Sequence, residues 1–82
     1  MLMKKDLLKR IIVDPNIMAG KPVIKGTRIP VDLILKLLSQ GTTVEEILKD
    51  YPHLSKEDLR VALLYGAAVI ENEEVFTFIS TR

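Results

Sequence analysis

The stretch Gly20-Lys21-Pro22-Val23-Ile24-Lys25-Gly26-Thr27-Arg28 is where this sequence concentrates residues able to do chemistry. Lys21, Lys25 and Arg28, with the hydroxyl of Thr27, can donate hydrogen bonds to phosphate oxygens. The interleaved Gly20 and Gly26 supply the backbone conformations a tight turn needs. A nucleotide-cradling loop is a different pattern: Gly, four residues, then Gly-Lys-Ser/Thr opening a helix. Here Lys25 precedes Gly26 and Pro30 follows, so the stretch reads as a ribbon displaying cations for non-specific phosphate contact.

Catalysis finds little to use. The single histidine, His53, sits between Pro52 and Leu54 in a turn and is expected to be a solvated surface residue. No second histidine, cysteine or carboxylate shares a ligand-like spacing with it, so neither a metal nor a cofactor is expected. Glu45-Glu46 and Glu73-Glu74 are adjacent pairs that point about 100° apart on a helix and read as solvated faces. Ser39, Ser55 and Ser80 fall in loop, cap and tail positions, none in a nucleophile-elbow pattern. The expectation is a protein that binds rather than an enzyme.

The elements that position these residues belong to one small domain. Eighty-two residues fit a single core. Hydrophobic residues at 48% against 28% charged are the balance of a globular chain, and aromatics at 5% leave the core to Leu, Ile, Val and Ala. The absence of cysteine excludes disulfides and thiolate chemistry. No apolar run reaches the ~20 residues of a membrane span, and the N-terminus lacks the signal-peptide pattern. A cytoplasmic location with no membrane association is expected. Charge is divided: residues 1–36 hold eight Lys/Arg against three acids, residues 37–82 four against eight. Such asymmetry suits one face for a polyanion and another for a protein.

Residues 4–10 can form a helical turn or two, and Ile11-Ile12-Val13 a short strand ending at the turn Asp14-Pro15-Asn16. Residues 10–30 as a whole predict an irregular β-hairpin or ribbon. Three helices follow over 31–70. Pro30 and Asp32 open the first and Gly41 is its natural stop. Thr43 and Glu46 form a capping-box spacing for the second, whose Val44, Ile47, Leu48 and Tyr51 make one stripe. Ser55 opens the third, with Leu54 and Leu59 as a hydrophobic staple. Its main stripe, Leu59, Ala62, Leu63, Gly66, Ala67 and Ile70, is expected to face the core. A second stripe, Val61, Leu64, Tyr65 and Ala68, is expected to need another cover and to form a homodimer interface.

The predicted fold is mainly α, a three-helix bundle of helix-turn-helix type preceded by a short β-hairpin or ribbon. It occupies residues 1–74, with 75–82 as a tail. In such a motif the start of the last helix would read DNA. Ser55-Lys56-Glu57-Asp58 with Arg60 mixes acids with bases, which disfavours that docking mode.

Asp14-Pro15-Asn16 followed by Gly20-Lys21-Pro22-Val23-Ile24-Lys25-Gly26-Thr27-Arg28-Ile29-Pro30-Val31 resembles the signature of the small prokaryotic domain-of-unknown-function family 433. Gly41, the run Thr43 to Ile47, and Tyr51-Pro52-His53-Leu54 continue the resemblance, which covers residues 10–70. It implies a homeodomain-like or winged helix-turn-helix fold. It also implies an antitoxin of the VapB type, paired with a PIN-like nuclease toxin and able to bind operator DNA as a dimer. Carried over by position, Lys21, Lys25, Thr27 and Arg28 become the nucleic-acid contacts. The apolar tail residues Val75, Phe76, Phe78 and Ile79, outside the shared pattern, are expected to bind the partner. The competing expectation is a protein–protein interaction module with no nucleic-acid role.

Overall fold

Asp14 reverses the chain between two pairs of β-branched residues. In the computed structural model, which describes residues 7–72, Ile11–Ile12 (β1) pairs antiparallel with Val23–Ile24 (β2), Ile11 opposite Ile24 and Ile12 opposite Val23. The Asp14 carboxylate accepts from the Asn16 N–H at 2.8 Å and its carbonyl from the Ile17 N–H at 2.8 Å, an Asx turn. On the other edge of β2, the Ile24 N–H donates to the Ile29 carbonyl at 3.0 Å and the Val31 N–H to the Pro22 carbonyl at 2.9 Å. The strand is thus flanked on both sides. Successive strand residues face opposite ways, yet Val23 and Ile24 are both buried. Both faces of the ribbon are therefore covered.

Three helices follow the two-stranded antiparallel sheet, and the described part of the chain is mainly helical, as the hydrophobic periodicity predicts. The first, α1 (Val31–Ser39), starts behind the extended Pro30 with Asp32 in its first turn. It ends in a Schellman motif: Gly41 N–H donates to the Leu38 carbonyl and Thr42 N–H to the Leu37 carbonyl, each at 3.1 Å. Gly41 takes φ +89°, which a Cβ would strain. The second, α2 (Val44–Asp50), carries the reciprocal capping box, Glu46 N–H to Thr43 Oγ1 at 3.1 Å and Thr43 N–H to Glu46 Oε1 at 2.9 Å. The third, α3 (Lys56–Asn72), opens on a shorter version of the same device, with Asp58 where a Glu is usual. There Asp58 N–H donates to Ser55 Oγ at 3.2 Å and Ser55 N–H to Asp58 Oδ2 at 3.0 Å.

The core is aliphatic. Ile24, Val31, Ile34, Ile47, Leu54, Leu59 and Ala62 form one buried cluster, with Tyr51 and Tyr65 packed against it. α3 packs chiefly on α1, and Gly66 permits the approach: a Cβ there would lie 3.2 Å from Leu35 Cδ1. In α2, Ile47 and Leu48 turn inward, as does Tyr51 at its C-cap, whereas Val44, in the first turn, is exposed.

The expected faces of α3 need correction. Leu59, Ala62 and Gly66 of the predicted core stripe do lie toward α1 and the cluster, but Leu63 is 53% and Ile70 73% exposed, and Ala67 is exposed too. Val61, assigned above to a dimer interface, is 0% exposed and is not an interface residue. Arg10 Nη1 reaches Asp58 Oδ1 at 3.2 Å, and Asp58 and Val61 share a helix face at i, i+3. Leu64, Tyr65 and Ala68 are half-buried.

Candidate nucleic-acid interface

The turn that carries the cations is fixed by Thr27. Its hydroxyl donates to the Ile24 carbonyl at 2.7 Å and accepts from the Ile29 N–H at 2.9 Å. The Thr27 N–H also donates to the Ile24 carbonyl at 3.0 Å, closing a β-turn over Lys25 and Gly26. A positive φ at the third position of such a turn demands glycine, and Gly26 has φ +82°. Thr27 thus acts inside the turn, with one acceptor lone pair left over. Of the four residues expected to touch nucleic acid it is the one whose side chain bonds the backbone of its own turn.

The three cations do not act together. Lys21 Nζ binds Asp32 Oδ2 at 3.1 Å in an exposed pair, so its charge is already balanced. Arg10 and Arg60 likewise have partners, Asp58 at 3.2 Å and Glu57 at 3.7 Å. Lys25 and Arg28 are exposed and have no ion pair among the described residues. The tip of the hairpin that β2 makes with Ile29 and Pro30 is therefore the part of the ribbon whose positive charge is available to a polyanion. At the start of α3, the two acids that made it a poor reader of DNA are engaged, Asp58 with Arg10 and Glu57 with Arg60.

Beside the tip lies a concavity of about 510 Å³ lined by Ile17, Gly26, Thr27, Arg28, Ile29 and His53. The turn Tyr51-Pro52-His53-Leu54, closed by the Leu54 N–H to the Tyr51 carbonyl at 2.9 Å, brings His53 to it. The Ile17 side is a strained loop. Met18, Ala19 and Gly20 all have positive φ, at 50°, 56° and 84°, and a left-handed non-glycine residue costs about 1–2 kcal/mol. Hydrogen bonds from the Gly20 N–H to the Ile17 carbonyl and the Lys21 N–H to the Met18 carbonyl hold it. Sequence reading missed His53 and Ile17 as lining residues because they stand 25 and 11 positions from Arg28, with no local pattern joining them.

A second surface is apolar. Leu63, Ala67 and Ile70 recur at i, i+4 and i+7 on the outer face of α3, and Val69 is exposed nearby. Val69 and Ile70 continue into a groove of about 320 Å³ between α1 and α3, lined also by Pro22, Val31, Leu35, Tyr65 and Gly66, with Lys21 and Asp32 at the same opening. Val75, Phe76, Phe78 and Ile79, expected to bind a partner, lie outside the described residues. Among the described residues no His, Cys, Asp or Glu group could hold a metal ion, and no helix is long and apolar enough to cross a membrane.

The profile of the family described as "Protein of unknown function (DUF433)" matches residues 11–66, from β1 through Gly66 of α3. The chain belongs to the DUF433 family. This DUF433 chain is 34% identical to a DUF433 member from Anabaena variabilis whose crystal structure superposes with a TM-score of 0.73, over 82% of this chain and 66% of that one. An uncharacterized protein of Sinorhizobium fredii, y4eO, is 39% identical over 54 residues. That match takes in 66% of the DUF433 chain but only 24% of the longer S. fredii protein. An uncharacterized protein of Archaeoglobus fulgidus is 57% identical over 30 residues, 37% of this chain and 83% of that one.

Proposed function

We propose that this DUF433 protein is an antitoxin-like regulator: a homodimer that contacts operator DNA through the hairpin tip and holds a PIN-like nuclease toxin. The observation that carries the reading is the pair of exposed cations without an ion pair among the described residues, Lys25 and Arg28, on a turn locked by the two hydrogen bonds of Thr27. Phosphate contact needs positive charge without a competing carboxylate and a support that keeps it in place. The exposed Leu63, Ala67 and Ile70 strip supplies a second, separate surface for a protein, either another copy or the nuclease. The acidic C-terminal half would compete with RNA for a nuclease's cationic track. Nothing in this scheme asks the chain to catalyse a reaction or to recruit a cofactor.

Two measurements test it. Reversing Lys25 and Arg28 to Glu is expected to weaken the gel shift of operator DNA from the protein's own promoter and to flatten the salt dependence of the remaining binding, with fold and dimer unchanged. An unaltered gel shift rejects the tip as the contact surface. Co-expression with the neighbouring gene product, followed by mass determination, is expected to give a mixed complex. The competing reading, a protein-interaction module without nucleic-acid binding, has support in the same α3 strip and predicts that complex with no DNA binding even at low salt.

A further inference from the structure

We propose that the concavity beside the hairpin tip binds a nucleoside 5′-monophosphate unit, Arg28 taking the phosphate while Ile17 and Ile29 cover the sugar and base. The proposal rests on the nucleic-acid reading in sharing Arg28, but it assigns that residue a ligand which duplex contact does not require. The lining combines two chemistries. Arg28 is a permanent cation without an ion pair among the described residues, and His53 offers a ring N–H donor in either protonation state. Gly26 leaves backbone open to close approach, and no carboxylate of the described residues lines the space. That half selects an anion. Ile17 and Ile29, both half-buried, form the other half. A bare phosphate would leave the isoleucines facing water, and an uncharged apolar ligand would leave Arg28 without a counter-charge. A nucleotide satisfies both, and about 510 Å³ lies within the roughly 300–1,000 Å³ of small-molecule sites.

The site is also held in shape. The Thr27 hydroxyl locks one wall. Three consecutive left-handed residues follow Ile17 in the other, and strain retained in a fold concentrates at binding sites. Preorganisation of this kind lowers the ordering cost of binding.

The test is an amide chemical-shift titration of the whole protein with adenosine 5′-monophosphate, adenosine and inorganic phosphate, run beside a gel shift with duplex DNA. The mononucleotide is expected to move the amides of Ile17, Gly26, Thr27, Ile29 and His53, and to bind about tenfold more tightly than either fragment. Arg28→Gln is expected to weaken it about tenfold or more, and Lys36→Gln, outside the lining, to leave it unchanged. Shifts confined to other residues, phosphate binding as tightly as the nucleotide, or full affinity in a folded Arg28→Gln protein would each overturn the proposal. Nucleotide binding without a duplex gel shift removes the operator reading and leaves the pocket. An Arg28-dependent gel shift without nucleotide binding does the reverse.

Discussion

Thr27 shows how one hydroxyl can decide what its neighbours do. Its donor and one lone pair close the turn on both sides, so the exposed Lys25 and Arg28 project from a rigid support. Thr27→Val keeps the shape but strands the Ile29 N–H, and it should lower stability by about 1–3 kcal/mol in denaturant titration. Thr27→Ser should recover most of the loss, because it keeps the hydroxyl. Glu46 is a second single-residue device, with a pH signature. Hydrogen bonds from the Thr43 backbone N–H and then its side chain hold the Glu46 carboxyl below its ordinary pKa. Ionised Glu46 therefore stabilises the fold above the unfolded carboxylate's pKa, and that contribution is lost as pH falls through the lower folded value. Glu46→Gln retains a capping acceptor without titrating. The mutant's denaturation midpoint should fall less on acidification than the parent's, and equal acid limbs would refute the assignment.

Among the elements, the start of α3 does several jobs with one carboxylate. Asp58 caps the helix through one oxygen and anchors Arg10 of the N-terminal segment through the other, with its side chain only 10% exposed. Asp58→Ala removes a cap, worth about 1 kcal/mol, and a charged hydrogen bond, worth roughly 1.5–3 kcal/mol. Thermal unfolding should register a loss of about 2–4 kcal/mol. Asp58→Asn, which can still cap, should lose about half as much. Loosening Arg10 should also free the N-terminal segment, so faster amide exchange at Leu7 and Arg10 is the accompanying signature. No change at those amides would mean that the Arg10–Asp58 pair does not hold the segment.

At the scale of the whole molecule, the two surfaces are separate in composition and in place. Lys25 and Arg28 lie on the hairpin, and the Leu63, Ala67 and Ile70 strip runs along the outside of α3. The proposed dimer makes a sharp distinction among α3 residues. Leu63→Glu with Ile70→Glu should convert the dimer to monomer by light scattering while stability changes within about 0.5 kcal/mol per site, since neither residue belongs to the core. Val61→Glu should instead unfold the chain, because it buries an unpaired charge. A stable Val61→Glu monomer, or a dimer indifferent to Leu63 and Ile70, would return the interface to the residues expected from sequence.

Local capping and turn chemistry was legible, but not the exposed Val44 or the left-handed Met18 and Ala19. The capping boxes at Thr43 and Ser55, the stop at Gly41, the turn at Asp14-Pro15-Asn16 and the inward Ile47 of α2 all depend on residues within one or two turns of each other, where spacing in sequence is distance in space. The Gly-Lys-Pro and Gly-Thr-Arg elements carried the family in the same way. What spacing could not decide was which side of α3 meets the rest of the chain. Leu63 and Val61 are both apolar and two positions apart, and periodicity cannot tell them apart. Packing buries Val61 and leaves Leu63 exposed, and Arg10, 48 positions before Asp58, pairs with the α3 face that carries Val61. The pocket that joins Ile17, Arg28 and His53 has the same origin. Contacts between distant segments exist only once the chain has packed, so tertiary structure alone decided them.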